Sequence, residues 1–392
     1  MPVSRRHFLD FLSGAGAVAA AQGLALGAQQ KPPVDPGATP QDPRMGTKDA
    51  EKYFKYSNVP AKVSLVKGEN RRKNIFDALV AIDDQILPGL KTKKYVIIKP
   101  NGVDPSRSLI STQLDTVHGI LDYLAPRFKG PVVMAECSGV TAKQAVADLG
   151  WGAVFAAHKP LNVTFEIPNE DPSRYELLYG IDYDLHPVPI RLAARMLDPD
   201  AFLISSAVMK THNMVVATMT IKNVVLGAPL TPPPGEKRPW GESDKRKFHV
   251  GIRQGNYNMY LATRRMMGNW GLGIVDGFEG MEGNGPVSGT PVPHRIALAS
   301  TDFLAVDRVG LECMGIDAGW PGYLNYCYQG GLGQYNLSKI EVVGAKIADV
   351  QRKYRLHADV DRMLEWRGPM QDLPGNLGRR RPPVEEDLSQ YA

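Results

Sequence analysis

The sequence predicts an α/β protein, with one large domain built on a mostly parallel or mixed β-sheet that carries helices on both faces. Short runs rich in Val, Ile and Leu alternate with stretches of helical period, which is typical of a parallel sheet. The chain has 392 residues and is 43% hydrophobic, which is enough to bury a substantial core. The alternation runs from residue 61 to about residue 345 without an internal repeat, which favours a single domain over this range.

The first half of this range contains three predicted strands, each followed by a predicted helix. Each strand is a short run of four or five residues rich in β-branched side chains. In chain order, the elements are a strand over 62–66, an amphipathic helix over about 74–87, a strand over 95–98, a helix over about 112–124, a strand over 132–135 and a helix from Thr141.

The second half shows the same alternation of predicted strands and helices. Strands are predicted over 201–205, 273–275, 295–299 and 340–343, with a clear helix over 303–314. Between them, residues 231–249 are rich in proline and charge, which predicts an inserted surface loop or lid. Residues 346–392 are predicted to be a C-terminal extension with a polar, disordered end.

The N-terminus carries a twin-arginine pattern. Residues 4–9 read Ser-Arg-Arg-His-Phe-Leu, and an Ala- and Gly-rich segment follows to about Ala28. We therefore expect a signal peptide over 1–28, a proline-rich flexible linker over 29–60, and the twin-arginine export machinery as a partner. The protein would then be periplasmic or otherwise exported. A retained anchor helix is the alternative, but the segment is shorter than the roughly 20 apolar residues that a membrane span needs.

Charge and cysteine content exclude several function classes. The chain has 46 basic and 41 acidic residues and a net charge of +5, with no basic stripe, so we expect no nucleic-acid partner. Cys137, Cys313 and Cys327 have neither zinc-site nor ferredoxin spacing. An iron–sulfur cluster and a disulfide framework are therefore not expected.

Polar side chains follow several of the predicted strands. Lys99 and Asn101 come after the second strand, whereas Lys210 and His212 come after the strand over 201–205. Asp276 directly follows the strand over 273–275. Because ligands bind at the carboxyl ends of parallel strands, we expect these residues to share one pocket.

Several short motifs resemble those of domain-of-unknown-function family 362. The chain has Lys210-Thr211-His212, then Thr218, Lys222-Asn223 and Gly227, which resembles that family's K-x-H…T-x-x-x-K-N…G pattern. Segments 99–101, 276–286, 300–307 and 330–333 match in the family's order. The resemblance implies an α/β domain, often exported and sometimes fused to iron–sulfur modules, whose cysteines are absent here. It implies no particular reaction or substrate.

The residue types suggest a role for each candidate. Lysines bind phosphate or carboxylate oxygens, and crowded lysines lose protons more easily. Histidines transfer protons, and carboxylates suit hard divalent metals or act as bases. The candidate catalytic residues are Lys210, His212, Lys222 and Asp276; the candidate ligand-binding residues are Lys99, Asn101, Thr218, Asn223, Glu279 and Asp302; and the candidate metal ligands are Asp276, Glu282 and His249.

Three interpretations remain open at this point. The first is an enzyme that acts on an anionic small molecule. The second is a non-catalytic carrier of a ligand, divalent metal or cofactor that assists a redox system. The third is a structural salt-bridge network in which Lys222 pairs with Asp276 or Glu279; for Asp302, a simple helix cap is the structural alternative.

Overall fold

The computed structural model describes residues 56–102, 107–137, 146–231 and 243–367. These residues belong to one compact unit, Thr39–Ala392. The predicted signal peptide, most of the linker, residues 232–242 of the inserted segment and the end of the C-terminal extension lie outside the described residues.

Ten strands of the described residues form one sheet in the order β12-β1-β11-β9-β7-β2-β3-β4, with β10 paired to β9 and β8 paired to β7. β5 and β6 form a separate antiparallel hairpin. The strands are β1 (Ala61–Lys67), β2 (Tyr95–Lys99), β3 (Val132–Ala135), β4 (Val163–Glu166), β5 (Tyr175–Ile181), β6 (Pro187–Ala193), β7 (Ala201–His212), β8 (Val216–Thr218), β9 (Trp270–Asn284), β10 (Ser288–Val292), β11 (Ile296–Ser300) and β12 (Ile340–Gly344).

The large sheet is mixed. β7 lies near its centre and pairs in parallel with both β2 and β9. β2, β3 and β4 continue in parallel toward one edge. β11 runs antiparallel to its two neighbours, β9 and β1. The carboxyl ends of β2, β3 and β7 therefore lie at the same rim of the sheet.

The α-helices that the structure describes lie between these strands. They are α1 (Arg71–Val80), α2 (Asp83–Leu90), α3 (Leu114–Leu124), α4 (Trp151–Ala157), α5 (Thr220–Val225), α6 (Ile252–Met266), α7 (Phe303–Met314), α8 (Gly322–Gln329), α9 (Ile347–Val350) and α10 (Val360–Met363). No helix within the described ranges has both the length and the apolar character to cross a membrane.

Each face of the sheet packs against its own set of helices. Successive strand residues point to opposite faces, so Ile97 of β2 joins one core cluster whereas Val96 and Ile98 join the other. The Ile97 cluster includes side chains from α5, α6, α7 and α8, and the other includes side chains from α1, α2, α3 and α4. The predicted α/β fold with helices on both faces is confirmed.

The strand expected over 201–205 continues to His212 as β7, so Lys210 and His212 lie within a strand and not after it, and that prediction is wrong. Other local predictions also differ from the structure. The helix expected over 74–87 is two helices, because buried Ile82 adopts a non-helical backbone between α1 and α2. The loop expected over 231–249 contains a 3₁₀-helix, Asp244–Phe248, anchored by buried Phe248. The first part of the expected C-terminal extension folds onto the core through Val350 and Tyr354.

Candidate functional site

A buried ion pair joins the ends of β2 and β3. Lys99 is the last residue of β2 and exposes 1% of its surface. Its Nζ lies 2.8 Å from Oε2 of Glu136, which directly follows β3 and is fully buried. The same Oε2 accepts a hydrogen bond from the Gly102 amide at 2.9 Å. Parallel pairing of β2 with β3 brings these two residues together.

Two asparagines connect this ion pair to Lys210. Lys210 Nζ donates to Asn101 Oδ1 and to the Ile110 carbonyl, each at 3.0 Å. Asn101 Nδ2 donates to Asn223 Oδ1 at 3.3 Å, and Lys99 Nζ lies 3.5 Å from that same oxygen. Four predicted site residues, Lys99, Asn101, Lys210 and Asn223, therefore share one buried hydrogen-bond network.

A buried carboxylate fixes the short helix that carries Lys222 and Asn223. Asp307, on α7, accepts hydrogen bonds from the Thr220 amide and hydroxyl at 2.8 and 2.6 Å, and from the Ile221 amide at 3.1 Å. These bonds satisfy donors at the start of α5 that have no partner within the helix. Burial raises the pKa of Asp307 to about 7, against the effect of its hydrogen bonds.

Lys222 and Lys245 complete a group of lysines with few partners. Lys222 retains 9% of its surface exposed, and its Nζ has neither a hydrogen-bond acceptor nor an ion-pair partner among the described residues. The same holds for Lys245, in the 3₁₀-helix Asp244–Phe248. Lys247 of that helix instead pairs with Asp244 at 2.7 Å. We define the lysine cluster as Lys99, Lys210, Lys222 and Lys245.

Burial and mutual repulsion lower the pKa values within the lysine cluster. The pKa of Lys210 falls to about 7, first because of burial and then because of the charges of Lys245 and Lys99. The pKa of Lys222 falls well below its usual range, through burial and then Lys245 and Lys210. Burial also lowers the pKa of Lys245, and Glu136 opposes that shift. Lys222 therefore loses its proton more easily than a lysine in solvent does.

Two histidines beside the cluster have opposite tautomers. His212 Nδ1 accepts a hydrogen bond from the Met214 amide at 3.0 Å, so the proton of its neutral ring is on Nε2. His249 Nδ1 lies 3.1 Å from the Lys245 carbonyl, which can only accept, so its Nε2 carries a lone pair. Burial, followed by the charge of Lys222, lowers the pKa of both rings, that of His249 to about 3.

Thr218 and Gly227 lie against the same network. Thr218 is directly opposite Lys210 in the antiparallel β7–β8 pair, so the two side chains share a face. A Cβ atom at Gly227 would lie 2.1 Å from Lys99 Cε and 2.6 Å from its Nζ. Only glycine leaves room for Lys99 at this position, which gives a physical reason for the glycine of the family motif.

Asp276 lies within a strand and binds other partners. The strand was expected to end at 275, but β9 continues to Asn284, so that prediction is wrong. Asp276 Oδ2 accepts from the Thr116 hydroxyl and lies 3.3 Å from Arg71 Nε, and its Oδ1 accepts from the Phe278 amide at 3.0 Å. In the part of the chain described, none of its hydrogen bonds or ion pairs reaches the lysine cluster.

The other candidate carboxylates also lie outside the network. Glu282 Oε2 accepts from the Arg355 amide at 2.9 Å. Asp302 caps α7 by accepting from the Ala305 amide at 2.9 Å, which is the structural alternative noted for it. Glu279 is partly buried and forms no hydrogen bond or ion pair with the described residues.

These positions bear on two of the earlier interpretations. The salt-bridge pairing of Lys222 with Asp276 or Glu279 is wrong, because Asp276 pairs with Arg71 and Lys222 has no ion pair in the described ranges. For the metal hypothesis, the described residues contain no group of three or more His, Cys, Asp or Glu side chains that could hold an ion. His249 instead lies beside lysines, whose positive charge would repel a cation.

The three cysteines do not contribute a reactive group. Cys137, Cys313 and Cys327 are all free and buried. Burial raises the pKa of each thiol, so none is present as the nucleophilic thiolate at neutral pH.

The candidate site residues chosen from the sequence did not include Glu136, Lys245 or Asp307. Glu136 directly follows a correctly predicted strand, so the strand-end rule applied to Lys99 also points to it. Lys245 belongs to a charged segment whose fold gives no periodic pattern. Asp307 lies inside a helix, and its contact with α5 crosses 87 positions, for which the sequence has no local signal.

Comparisons with known proteins agree with the motifs. The model of the family described as Domain of unknown function (DUF362) matches residues 96–312, more than half of the chain, and this range includes the whole lysine cluster. A crystal structure of a protein from Thermotoga maritima is similar at 11% identity and a TM-score of 0.33, over 58% of this chain and 55% of that one. No curated protein matches. Given the family match and the motifs within it, the chain belongs to the DUF362 family.

Proposed function

We propose that this chain is an enzyme that binds an anionic small molecule at the lysine cluster and acts on it there. The observation that carries the proposal is the pair of amines on Lys222 and Lys245, which have no acceptor among the described residues. Lys222 is nearly buried and Lys245 is half-buried, and two neighbouring amines without a carboxylate partner repel each other when charged. A bound anion would supply the missing acceptors.

The balance of charge favours an anion with several negative oxygens. In the described part of the chain, Glu136 is the one carboxylate that forms an ion pair with a cluster lysine. A phosphate or di-acid would therefore meet up to four amines and one carboxylate. Its charge would also raise the pKa of Lys210, so that binding near neutral pH takes up protons.

The two histidines favour catalysis over simple binding. His212 presents an N–H donor and His249 presents a lone pair, both at Nε2, and both rings are close enough to Lys222 for its charge to lower their pKa values. A proton donor and a proton acceptor next to the same ligand are the groups that general acid–base catalysis requires.

The binding test is calorimetric titration of the purified protein with sodium pyrophosphate at pH 7. We expect Lys245→Gln to weaken binding by roughly tenfold, about 1.4 kcal/mol. The matched control is Lys247→Gln, in the same 3₁₀-helix but paired with Asp244, and it should bind within about twofold of wild type. Failure to bind pyrophosphate, inorganic phosphate and citrate alike would contradict the proposal, as would an equal loss in both variants.

A non-catalytic carrier is the second candidate function. It is favoured by the positions of Asp276, Glu282 and Asp302, which all bind elsewhere and so supply no carboxylate base at the lysines within the part of the chain that the structure describes. Native mass spectrometry of the purified protein would identify a retained anion. An enzyme should then convert this compound, and His212→Gln should slow conversion more than it weakens binding; a carrier should bind it unchanged.

We also propose export by the twin-arginine route, supported by the pattern at residues 4–9 and the small-residue segment after it. In a bacterium that has this pathway, the protein should reach the periplasm with a shortened N-terminus. Replacing Arg5 and Arg6 by lysine should keep it in the cytoplasm. Periplasmic accumulation of that double variant would refute this route.

A further inference from the structure

We infer that Lys222 is a nucleophile that forms a Schiff base with the carbonyl group of an anionic substrate, such as a 2-oxo acid or a phosphorylated aldehyde. This deepens the proposed function and rests on it, because the bound anion is what would hold the carbonyl carbon beside the amine.

The hydrogen-bonding environment separates Lys222 from the neighbouring lysines. Lys99 Nζ donates to Glu136 and to the Pro100 carbonyl, and Lys210 Nζ donates to Asn101 and the Ile110 carbonyl. These bonds hold both amines in donor roles. Lys222 Nζ has no such acceptor among the described residues, so its lone pair is available once the proton is lost.

The surroundings of Lys222 favour the neutral amine. Its side chain is nearly buried and lies close to Lys210 and Lys245, and both effects lower its pKa. Desolvation and a neighbouring cation are the two ways in which proteins make a lysine nucleophilic toward carbonyl compounds. The other lysines of the cluster remain as partners for the anionic part of the substrate.

The backbone beneath Lys222 is held in place from both sides. Asp307 binds the amides at the start of α5. The adjacent Asn223 side chain donates to the Lys99 carbonyl and to Ser205 Oγ, each at 3.1 Å. A nucleophile on such a fixed backbone loses little conformational entropy when it reaches the reactive geometry.

The reaction balances without an oxidant or a reductant. The Lys222 lone pair forms a C–N bond as the carbonyl π bond breaks, and the His212 Nε2–H group donates a hydrogen bond to the negative oxygen that develops. His249 Nε2 takes a proton from the nitrogen and passes it to that oxygen, which gives a neutral carbinolamine and restores both rings. The C–O bond then breaks, and the oxygen leaves as water with the second amine proton, so that carbonyl and amine give imine and water.

The test uses pyridoxal 5′-phosphate, which carries both an aldehyde and a phosphate, followed by reduction with borohydride. Peptide mass spectrometry should find Lys222 modified before the exposed lysines. Because burial and neighbouring lysines lower the pKa of Lys222, its labelling rate should fall much less from pH 9 to pH 7 than that of a surface lysine. A surface lysine with a pKa near 10.4 should slow by roughly 100-fold over the same range, because its free-amine fraction falls tenfold per pH unit.

The matched variants are Lys222→Arg, which should abolish the preferred label, and Lys247→Arg, which should keep it. Lys222→Met is the control for a folding defect. Its melting temperature should not fall, since the amine that it removes has no partner among the described residues. Pyrophosphate in excess should protect Lys222 from modification.

The outcomes distinguish the proposed Schiff base at Lys222 from the proposed anion site. Labelling spread over surface lysines, with pyrophosphate still binding, would overturn the Schiff base and leave the anion site standing. Preferred labelling of Lys222 that pyrophosphate neither prevents nor slows would support the amine chemistry and overturn the anion site. Preferred labelling with protection supports both.

Discussion

At the scale of single residues, the environment of an amine decides its chemistry. Lys99 has a carboxylate at 2.8 Å, whereas Lys210 has two neutral oxygen acceptors and other lysines nearby. A neutral acceptor compensates less of the desolvation cost of a buried cation than a carboxylate does. Lys210 is therefore close to losing its proton at physiological pH, and stability becomes linked to pH through it.

The first prediction concerns this linkage. Between pH 7 and 10.5, the folded protein binds fewer protons at Lys210 than the unfolded chain does, so its contribution to stability rises with pH. One proton accounts for up to about 1.4 kcal/mol per pH unit. Lys210→Met should flatten the rise by that amount in urea unfolding at pH 7 to 9.5. A variant with the slope of the wild type would show that Lys210 is charged in the fold.

The second prediction concerns Gly227. Gly227→Ala places a Cβ atom on top of the Lys99 side chain, which must move away from Glu136. Overpacking of this kind costs about 1–3 kcal/mol, and pyrophosphate binding should weaken as well. Gly268→Ala is the control, because no atom lies within 4 Å of the added Cβ there, and chemical denaturation should show little change. Equal stability of the two variants would contradict this placement of Lys99.

At the scale of elements, the short helix α5 depends on a residue from another helix. Its six residues are too few for a stable isolated helix, and Asp307 of α7 supplies the acceptors for its first amides. Lys222 and Asn223 lie on this helix. The position of two site residues is therefore set by a carboxylate that does not itself enter the site.

The third prediction is that Asp307→Asn loosens α5. The amide nitrogen of asparagine cannot accept, so one of the Thr220 and Ile221 donors loses its partner, at a cost of about 1–3 kcal/mol. The folded pKa of about 7 exceeds the usual 3.8, so the Asp307 contribution falls as pH rises between these values, and the variant lacks that dependence. Urea unfolding at pH 5 and pH 7 measures both effects.

Pyrophosphate titration separates this role from ordinary helix capping. Asp307→Asn should weaken binding through Lys222, whereas Asp302→Asn, which alters the cap of α7, should lower stability without a matching loss of affinity. Equal losses of affinity in both variants would indicate a general defect instead.

Elements with clear end signals were predicted well. The strand over 132–135 and the helix over 303–314 coincide with β3 and α7. The helix is bounded by Asp302, whose side chain caps it, and by Gly315 at a φ of 63°, a conformation that suits glycine. Local chemistry of this kind is visible in the sequence.

The prediction failed where glycine had a packing role. The strand was expected to end at 275, but the glycine-rich residues after it continue β9, and a Cβ at Gly280 would lie 2.2 Å from the Tyr354 hydroxyl. Asp276 therefore lies inside a strand, next to α1 and α3, rather than at a strand end. Local sequence does not distinguish a glycine needed for close packing from one needed for a turn.

The β5–β6 hairpin was missed because β6 contains Pro187 and Pro189. Proline within a run argues against a strand, yet it is tolerated where its missing N–H faces away from the ladder. The hairpin lies apart from the large sheet, so both of its strands are edges. The rule that proline argues against a strand holds for central strands but fails for the edge strand β6.

At the scale of the whole molecule, the lysine cluster exists because the sheet gathers separate parts of the chain. Lys99 ends β2, Lys210 lies near the end of β7, Lys222 follows β8, and Lys245 comes from the inserted segment. Strand-end reasoning could predict the meeting of Lys99 and Lys210, because β2 and β7 are parallel neighbours. It could not predict Lys245, whose position depends on tertiary packing.

The fourth prediction tests this convergence by hydrogen–deuterium exchange. If one anion contacts all parts of the cluster, pyrophosphate should slow exchange together in segments 99–102, 209–212, 220–225 and 244–249, because each contributes a ligand-binding lysine or its backbone. Segments 276–284 and 302–305 should change little, since Asp276, Glu282 and Asp302 bond elsewhere. Protection confined to one segment, or centred on 276–284, would place the anion somewhere other than the lysine cluster.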